Sequence, residues 1–151
     1  MKRFIILALL APLASCAQSD TVVIPQESEM VSMNDASVIY GGTYGQRYFA
    51  NGSKTPYTGW LCARYDNGQL ESISQFVDGY GNGIWINYDP DGRKESQGTM
   101  VNNETIGLAK TFYEDGSVKS EGDFVHLRNK VGWWKFYDRK GNIVSKRFFT
   151  R

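Results

Sequence analysis

Two side chains in this sequence have the chemistry of a nucleophile and a general base. Cys62 carries a thiol, and His126 is the only histidine of the 151 residues. A cysteine acts as a nucleophile when a base within hydrogen-bond reach takes its proton and a third group orients that base. The spacing of Cys62 and His126 indicates no such arrangement. We therefore expect Cys62 to be a half-buried apolar residue, His126 to be a solvent-facing loop residue, and the protein not to be an enzyme.

Two loops have the composition of ion sites. Residues 89–92 read Asp-Pro-Asp-Gly, like the start of a calcium loop. A calcium loop needs further oxygen ligands at alternate positions and a closing Glu, whereas Arg93 and Lys94 follow here. Residues 79–83 are glycine-rich, but no helix start follows that could hold a phosphate. Both loops are expected to be turns, and we predict no metal and no other cofactor.

The second cysteine, Cys16, stands where a lipid could be attached. A positive start at residues 2–3 leads into an apolar run over residues 4–13, which is shorter than the about 20 residues of a membrane-spanning helix. This pattern predicts a secretory signal peptide over residues 1–15. Residues 13–16 read Leu-Ala-Ser-Cys and resemble the lipobox of bacterial lipoproteins, whose cysteine is acylated and becomes the new N-terminus.

The lipobox resemblance implies three acyl chains on Cys16, palmitate among them, and a place in the cell envelope. Two or more acyl chains anchor a protein stably, whereas one gives only marginal binding. Ala17, rather than Asp, follows the lipid site. By resemblance to Gram-negative lipoproteins this favours the outer membrane, if the cell has one. An acylated Cys16 cannot pair with Cys62, so no disulfide is expected within the monomer.

The charges of the chain are segregated. Removing residues 1–15 leaves 15 basic and 16 acidic residues, a net charge of −1, which predicts no general affinity for nucleic acid. Residues 127–151 contain eight bases and one acid, and residues 17–126 contain seven bases and 15 acids. The basic end suits an anionic partner, either lipid headgroups or an acidic protein. Alternatively, the last hairpin merely complements acidic neighbours in a sheet.

The candidate binding surface combines aromatic residues with the bases of the basic end. It consists of Trp60, Trp85, Tyr88, Trp133, Trp134, Lys135, Arg139, Lys140, Lys146 and Arg147. This composition favours a protein-binding or scaffold module. The alternatives are binding of a membrane surface or a glycan through the basic aromatic hairpin and, third, a cell-wall hydrolase.

A repeat governs the elements that must position these residues. Four glycines, 24, 24 and 25 residues apart, open the units, and nine residues later each unit has a second glycine preceded by turn-forming residues. The opening glycines are Gly59, Gly83, Gly107 and Gly132, and the turn glycines are Gly68, Gly92, Gly116 and Gly141. Each unit is therefore predicted to be a strand, a tight turn and a returning strand.

The returning strands align position by position. Serine stands 13 residues after each opening glycine, and a large apolar residue stands 17 after it: Phe76, Met100, Phe124 and Phe149. Positions 11, 13, 15 and 17 share one face of a strand, which we expect to be buried. Positions 12 and 14 are mostly polar, and we expect them to be exposed to solvent. The outgoing strands are aromatic on both faces and do not show which side is the core.

Several segments resemble a known repeat family. Residues 57–59, 65–68, 83–88 and 132–137 read Tyr-Thr-Gly, Tyr-Asp-Asn-Gly, Gly-Ile-Trp-Ile-Asn-Tyr and Gly-Trp-Trp-Lys-Phe-Tyr. They resemble the MORN-repeat variant family, in particular the YwqK-like antitoxins of toxin–antitoxin systems. The resemblance covers residues 44–151. It implies a chain of β-hairpins in one elongated sheet, with a binding role rather than a catalytic one.

Together these patterns predict an all-β protein. We expect antiparallel β-hairpin repeats, with a period of about 24, forming one elongated twisted meander sheet. Residues 1–15 would be the signal peptide, residues 16–37 the lipidated cysteine and a tether, and residues 38–151 the repeat domain. The expected function is a membrane-anchored, non-enzymatic, protein-binding or scaffold module of the cell envelope, antitoxin-like by family resemblance.

Overall fold

A computed structural model describes residues 23–126 and 128–150, so the predicted signal peptide and Cys16 lie outside the described residues. The described chain is built from strands and two short 3-10 turns, at Glu27–Glu29 and Met33–Asp35. The strands are β1 (Met30–Ser32), β2 (Ala36–Gly42), β3 (Gly45–Ala50), β4 (Gly59–Arg64), β5 (Leu70–Val77), β6 (Tyr80–Tyr88), β7 (Lys94–Val101), β8 (Glu104–Thr105), β9 (Gly107–Phe112), β10 (Val118–Val125), β11 (Asn129–Tyr137) and β12 (Ile143–Phe149). No helix in these ranges is both long enough and apolar enough to span a membrane.

One large sheet carries the repeats, as predicted. Its strand order is β1-β4-β5-β6-β7-β9-β10-β11-β12, with β8 paired to β7. All pairs are antiparallel except that of β1, which runs parallel to β4 and places Met30 opposite Trp60. The antiparallel pairs join strands that follow one another along the chain, except that β7 also pairs with β9, past β8. β1 lies inside the segment 16–37. β2 and β3 form a separate two-stranded sheet, joined to the turn after β5 by the ion pair of Arg47 and Asp78 at 2.6 Å.

The same turn closes all four predicted hairpins. The turn glycines Gly68, Gly92, Gly116 and Gly141 have φ of +85°, +80°, +82° and +83°. In the second unit the amide of Asp89 donates to the carbonyl of Arg93, and the amide of Gly92 donates to the carbonyl of Asp89, both at 2.9 Å. This is a type I turn followed by a left-handed residue and a one-residue bulge, for which glycine is best suited. The hairpin prediction is confirmed.

Hydrogen bonds also join one unit to the next. The hydroxyl of Tyr65 donates to the carbonyl of Tyr88, and the hydroxyl of Tyr113 donates to the carbonyl of Tyr137, both at 2.8 Å. Each bond connects the end of one outgoing strand to the end of the next. The units are thus coupled to their neighbours, as expected for a repeat array.

The face that we predicted to be buried is largely buried at positions 13, 15 and 17. We call it the glycine face, because its central row contains Leu61, Ser74, Trp85, Gly98, Ala109, Gly122 and Trp134. The prediction is wrong for position 11, because a bulge beside the turn places Leu70 on the other face, against Ile73. Leu61 is fully buried, and Phe76 and Trp134 are 5% and 2% exposed. The large residues Phe124 and Phe149 at position 17 of later units are half-buried. Small residues in the row make room for large neighbours across the strands.

The other face, which we call the opposite face, is buried where the first two units meet. Its central row runs Cys62, Ile73, Ile86, Gln97, Lys110, Glu121, Lys135 and Lys146. The expectation that position 14 is solvent-exposed is wrong for Ile73, which is 0% exposed. Ile86, on an outgoing strand for which the sequence did not show the core side, is 1% exposed. Met30 of β1, Trp60 and Tyr88 pack against this cluster. From Gln97 onward the row is polar, as predicted.

The two kinds of position should respond differently to mutation. Phe124→Ala removes a half-buried ring that packs edge-on against Trp134, with the two ring centroids 5.1 Å apart. The variant is expected to lower the free energy of unfolding by roughly 3 kcal/mol, the lower end of the range for Phe→Ala. Gln97→Ala should change stability by less than about 0.5 kcal/mol, as at a surface site. Denaturant midpoints decide between these outcomes. Equal losses for the two variants would contradict the assignment of faces.

Candidate binding surface

The residues with catalytic chemistry do not come together. Cys62 lies on β4 and is 4% exposed, more buried than expected. His126 follows β10, five strands along the sheet, and its Nδ1 lies 2.7 Å from Oε2 of Glu104. The described residues contain no group of three or more His, Cys, Asp or Glu side chains placed to hold a metal ion. The structure therefore assembles no nucleophile and base from this pair.

The acidic turn at residues 89–92 uses its own oxygens. The Asp89 carboxylate accepts hydrogen bonds from the amides of Asp91 and Arg93 at 3.0 and 2.9 Å, and from the Arg93 guanidinium at 2.8 Å. The Arg93 amide, with the guanidinium in support, lowers the pKa of Asp89. Residues 79–83 form the turn before β6 and its first part, and no helix follows them. Residues 89–92 therefore form a turn, as predicted, whereas the expectation of a loop at residues 79–83 is wrong for residues 80–83, which belong to β6.

The structure divides the ten candidate surface residues among three places. Trp85, Trp134 and Arg147 belong to the glycine face, and Arg139 and Lys140 lie in the last turn. The opposite face carries the other five: Trp60, Tyr88, Trp133, Lys135 and Lys146. Trp60 and Tyr88 pack on the buried cluster around Ile73. One continuous surface of all ten residues is therefore not present.

The opposite face of the last hairpin carries an exposed aromatic pair. Trp133 is 62% exposed and Phe148 is 57% exposed, and they are partners across β11 and β12. Their ring centroids are 5.2 Å apart in an edge-to-face arrangement. The next partners in the same direction on this face are Lys135 and Lys146. We call these four residues the aromatic-lysine patch.

The carboxylate of Glu121 pairs with Lys135, one of the four residues of this patch. Glu121 Oε1 accepts from the Tyr137 hydroxyl at 2.6 Å and from Lys135 Nζ at 3.0 Å, and Oε2 lies 3.3 Å from Lys110 Nζ. The Tyr137 hydroxyl and then the two lysines lower the pKa of Glu121 to about 2, against the effect of burial. In return Glu121 raises the pKa of Lys135. Lys135 is thus neutralised within the sheet, whereas Lys146 pairs with no acid of the described residues.

This network predicts a pH dependence of stability. The pKa of Glu121 is about 2 in the fold, against an ordinary 4.5, so its stabilising contribution is present above the ordinary value and is lost as pH falls toward 2. Across this window Glu121→Gln should lose less stability than the wild type, because the amide does not titrate. Denaturant midpoints of both proteins through the acid range provide the measurement. If the denaturant midpoints of the two proteins fell in parallel as the pH is lowered, the result would contradict a stabilising role for the carboxylate.

On the glycine face of the same hairpin, Trp134 is a packing residue. Its ring lies over Gly122, with ring centroids of Phe124 and Phe149 at 5.1 and 6.3 Å. Its Nε1–H donates to the carbonyl of Asp123 at 3.2 Å. Lys130 Nζ lies 4.2 Å from the ring centroid, which is cation–π distance. With 2% exposure, this indole contributes to packing and not to an outer contact surface.

Charge complementarity within the sheet accounts for two bases of the basic end. Lys135 pairs with Glu121, and Arg139 pairs with Asp115 at 3.1 Å. The Ser117 hydroxyl and amide, with Arg139 in support, lower the pKa of Asp115 to about 2. Five further bases pair with no acid of the described ranges: Arg128, Lys130, Lys140, Lys146 and Arg147. Ion pairs with acidic neighbours in the sheet therefore account for only part of the positive charge of residues 127–151.

Sequence reasoning missed a cavity on the glycine face. It measures about 310 Å³ and lies between Trp85 and Trp134, with Arg128 and Lys130 also in its lining. A wider cleft of about 850 Å³, lined by His126 and Phe149 among others, shares the same two bases. The small residues Gly98 and Gly122 at position 15 are the sequence signal that could have indicated it.

No curated protein matches the chain. One solved structure, a mutant of S. aureus TarM in complex with fondaparinux, alpha-GlcNAc-glycerol and UDP, is similar to 76% of this chain with 10% identity and a TM-score of 0.40. This chain covers 20% of that protein.

A family model gives a more specific result. Residues 106–126, which contain β9 and β10, match the model described as MORN repeat variant. Because this segment is one full outgoing and returning strand, it coincides with a unit of the structural repeat. The match therefore supports the MORN-repeat family for the chain.

Proposed function

We propose that this protein is a lipid-anchored, non-enzymatic binding module of the bacterial cell envelope that holds an acidic partner protein on its aromatic-lysine patch. The observation that carries the proposal is the exposed Trp133 beside Phe148. Tryptophan is strongly enriched among the residues that dominate protein–protein binding energy, and such residues are usually surrounded by weaker contacts that exclude water. Here the exposed ring of Phe148 and the side chain of Lys146, which pairs with no acid of the described residues, provide the surrounding contacts.

The charge of the patch selects the partner. Lys146 has no carboxylate partner within the described residues, so an approaching acid gains a new ion pair and breaks none. The resemblance to antitoxins, which act by binding proteins, and the MORN match support a binding module. The burial of Cys62 and its distance in the sheet from His126 support a protein without catalytic function.

The anchor can be tested by replacing the lipid site. Cys16 is the only residue at the predicted cleavage point that could take a thioether lipid. Cys16→Ser should leave the protein unprocessed or release it from membranes, because the acyl chains supply the stable anchor. Detergent phase partitioning of the wild type and variant is the measurement. Partitioning that does not change would contradict a lipoprotein.

The binding site can be tested by affinity purification of the full chain from solubilised envelopes. Trp133→Ala should reduce recovery of the partner by about tenfold or more, since truncation of such an anchor typically weakens binding by about 2 kcal/mol. The control is Tyr40→Ala, which removes an aromatic ring that is 72% exposed on β2, away from the patch. Equal recovery with Trp133→Ala and Tyr40→Ala would contradict the proposed site.

A further inference from the structure

The cavity on the glycine face exists because small residues separate two indole rings. Trp85 lies against Gly98, and Trp134 lies against Gly122, where an added Cβ would come within 2.7 and 2.4 Å of the rings. Ala109 stands between the two glycines and contributes only a methyl group. The resulting space of about 310 Å³ is at the small end of ligand cavities, which measure roughly 300–1,000 Å³.

Polar side chains line one side of this cavity. The Asn87 amide donates to the Ser96 hydroxyl at 3.2 Å, and the hydroxyls of Thr111 and Ser120 are 2.8 Å apart. A hydroxyl has one donor and two acceptor positions, so these pairs retain further hydrogen-bonding capacity. A ligand that carries hydroxyl groups can use this capacity, whereas a purely apolar ligand cannot.

The cavity is also cationic. Arg128 and Lys130 contribute to its lining, and no Asp or Glu does. Lys130 is fixed in place by aromatic rings, with Nζ 4.2 Å from the Trp134 centroid and 5.5 Å from that of Phe149. Arg128 has a φ of +58°, a left-handed conformation that non-glycine residues adopt mostly where function or local structure requires it. A negatively charged group would find two unneutralised cations here.

We propose that this cavity binds an acidic sugar unit of an anionic saccharide. Its hydroxyls would bond to the Asn87–Ser96 and Thr111–Ser120 pairs, its carboxylate would meet Lys130 and Arg128, and its ring would lie against the half-buried Trp85. A hydroxyl-rich ring with one negative charge satisfies all three parts of the lining, whereas an acyl chain satisfies only the aromatic part. The site is on the other side of the sheet from Trp133, so it stands apart from the protein-binding proposal.

The test is a titration of the full chain, purified in detergent, followed through the indole N–H resonance of Trp85. The probes are a glucuronic acid oligosaccharide, a neutral glucose oligosaccharide and inorganic phosphate. We expect the acidic saccharide to shift this resonance at saturation and to bind about tenfold or more tightly than either control, as one charge-assisted hydrogen bond allows. Failure to bind the acidic saccharide, or equal binding of the neutral saccharide or of phosphate, would overturn the proposal.

Two variants locate the site. Lys130→Met and Arg128→Met should each weaken binding of the acidic saccharide by about tenfold. Lys54→Met, an exposed lysine in the loop before β4, removes the same charge and should have no effect. If Lys130→Met loses the fold, Arg128→Met alone decides, because that side chain is exposed. If both variants still bind the saccharide, the cavity is not a sugar site. The same conclusion follows if phosphatidylglycerol vesicles compete with the saccharide at equal phosphate concentration.

Discussion

Trp134→Ala is expected to lower the free energy of unfolding by about 3–5 kcal/mol, the range for removal of a buried tryptophan. The indole is 2% exposed and has Gly122 beneath it, Phe124 and Phe149 beside it and Lys130 above it. Its loss also leaves the carbonyl of Asp123 without the Nε1–H donor. Urea unfolding followed by circular dichroism measures the effect.

The adjacent residue is the matched control for this prediction. Trp133→Ala removes the same side chain from a site that is 62% exposed, where the main loss is the cross-strand pair with Phe148. Such pairs contribute up to about 1 kcal/mol, so the unfolding midpoint should move little. If Trp133→Ala destabilises as much as Trp134→Ala, the two faces of β11 have been assigned the wrong way round.

Gly122→Ala is expected to lower the free energy of unfolding strongly, although it adds only one methyl group. An ideal Cβ at this position would lie 2.4 Å from Cδ2 of Trp134 and 2.5 Å from two further ring atoms. The ring cannot move away easily, because Phe124 and Phe149 lie beside it and its Nε1–H is hydrogen-bonded to the carbonyl of Asp123. Overpacking of this kind typically costs about 1–3 kcal/mol, and a rigid buried indole places this site at the upper end.

A second substitution separates this clash from a general effect of alanine in a strand. Gly122→Ala should cost less in a Trp134→Phe background, because the smaller ring leaves room for the new methyl group. The difference between the two measurements is the coupling energy of the pair, which for residues in contact is about 0.5–3 kcal/mol. Additive effects would mean that Gly122 is needed for a reason other than the indole.

Much of the fold was predictable because the turns are local. Polar turn-forming residues followed by glycine mark each of the four hairpin tips, and the turn fixes which residues of the two strands face each other. The 24-residue spacing of Gly59, Gly83 and Gly107 then predicts identical units. These features need no knowledge of distant contacts, and they were predicted correctly.

The burial of the opposite face was not predictable from repeat averages. Position 14 holds Ile73 in the first unit but Gln97 and Glu121 in later ones, so the first unit departs from the pattern. Its burial depends on Met30, which comes from a strand far upstream that pairs in parallel with β4. Parallel pairing across 30 residues leaves no local signal.

The candidate surface was predicted only in part, because adjacent residues on a strand point to opposite faces. Trp133 and Trp134 read as one aromatic motif, yet one is exposed and the other is buried. Bulges near Glu121 and Phe136 shift the register, so the sequence could not show which tryptophan faces the core. The two lysines share one face but differ in their pairing: Glu121 neutralises Lys135, whereas Lys146 lies on the strand at the sheet edge.

The most direct test of the binding proposal is oxidative footprinting of the tryptophans in intact cell envelopes and in the purified full chain. We predict that Trp133 reacts readily in the purified protein and is protected in envelopes, because a partner covers the aromatic-lysine patch. Trp134 should be unreactive in both, as its burial requires. Equal reactivity of Trp133 in envelopes and in the purified chain would contradict the proposal that this hairpin holds a partner.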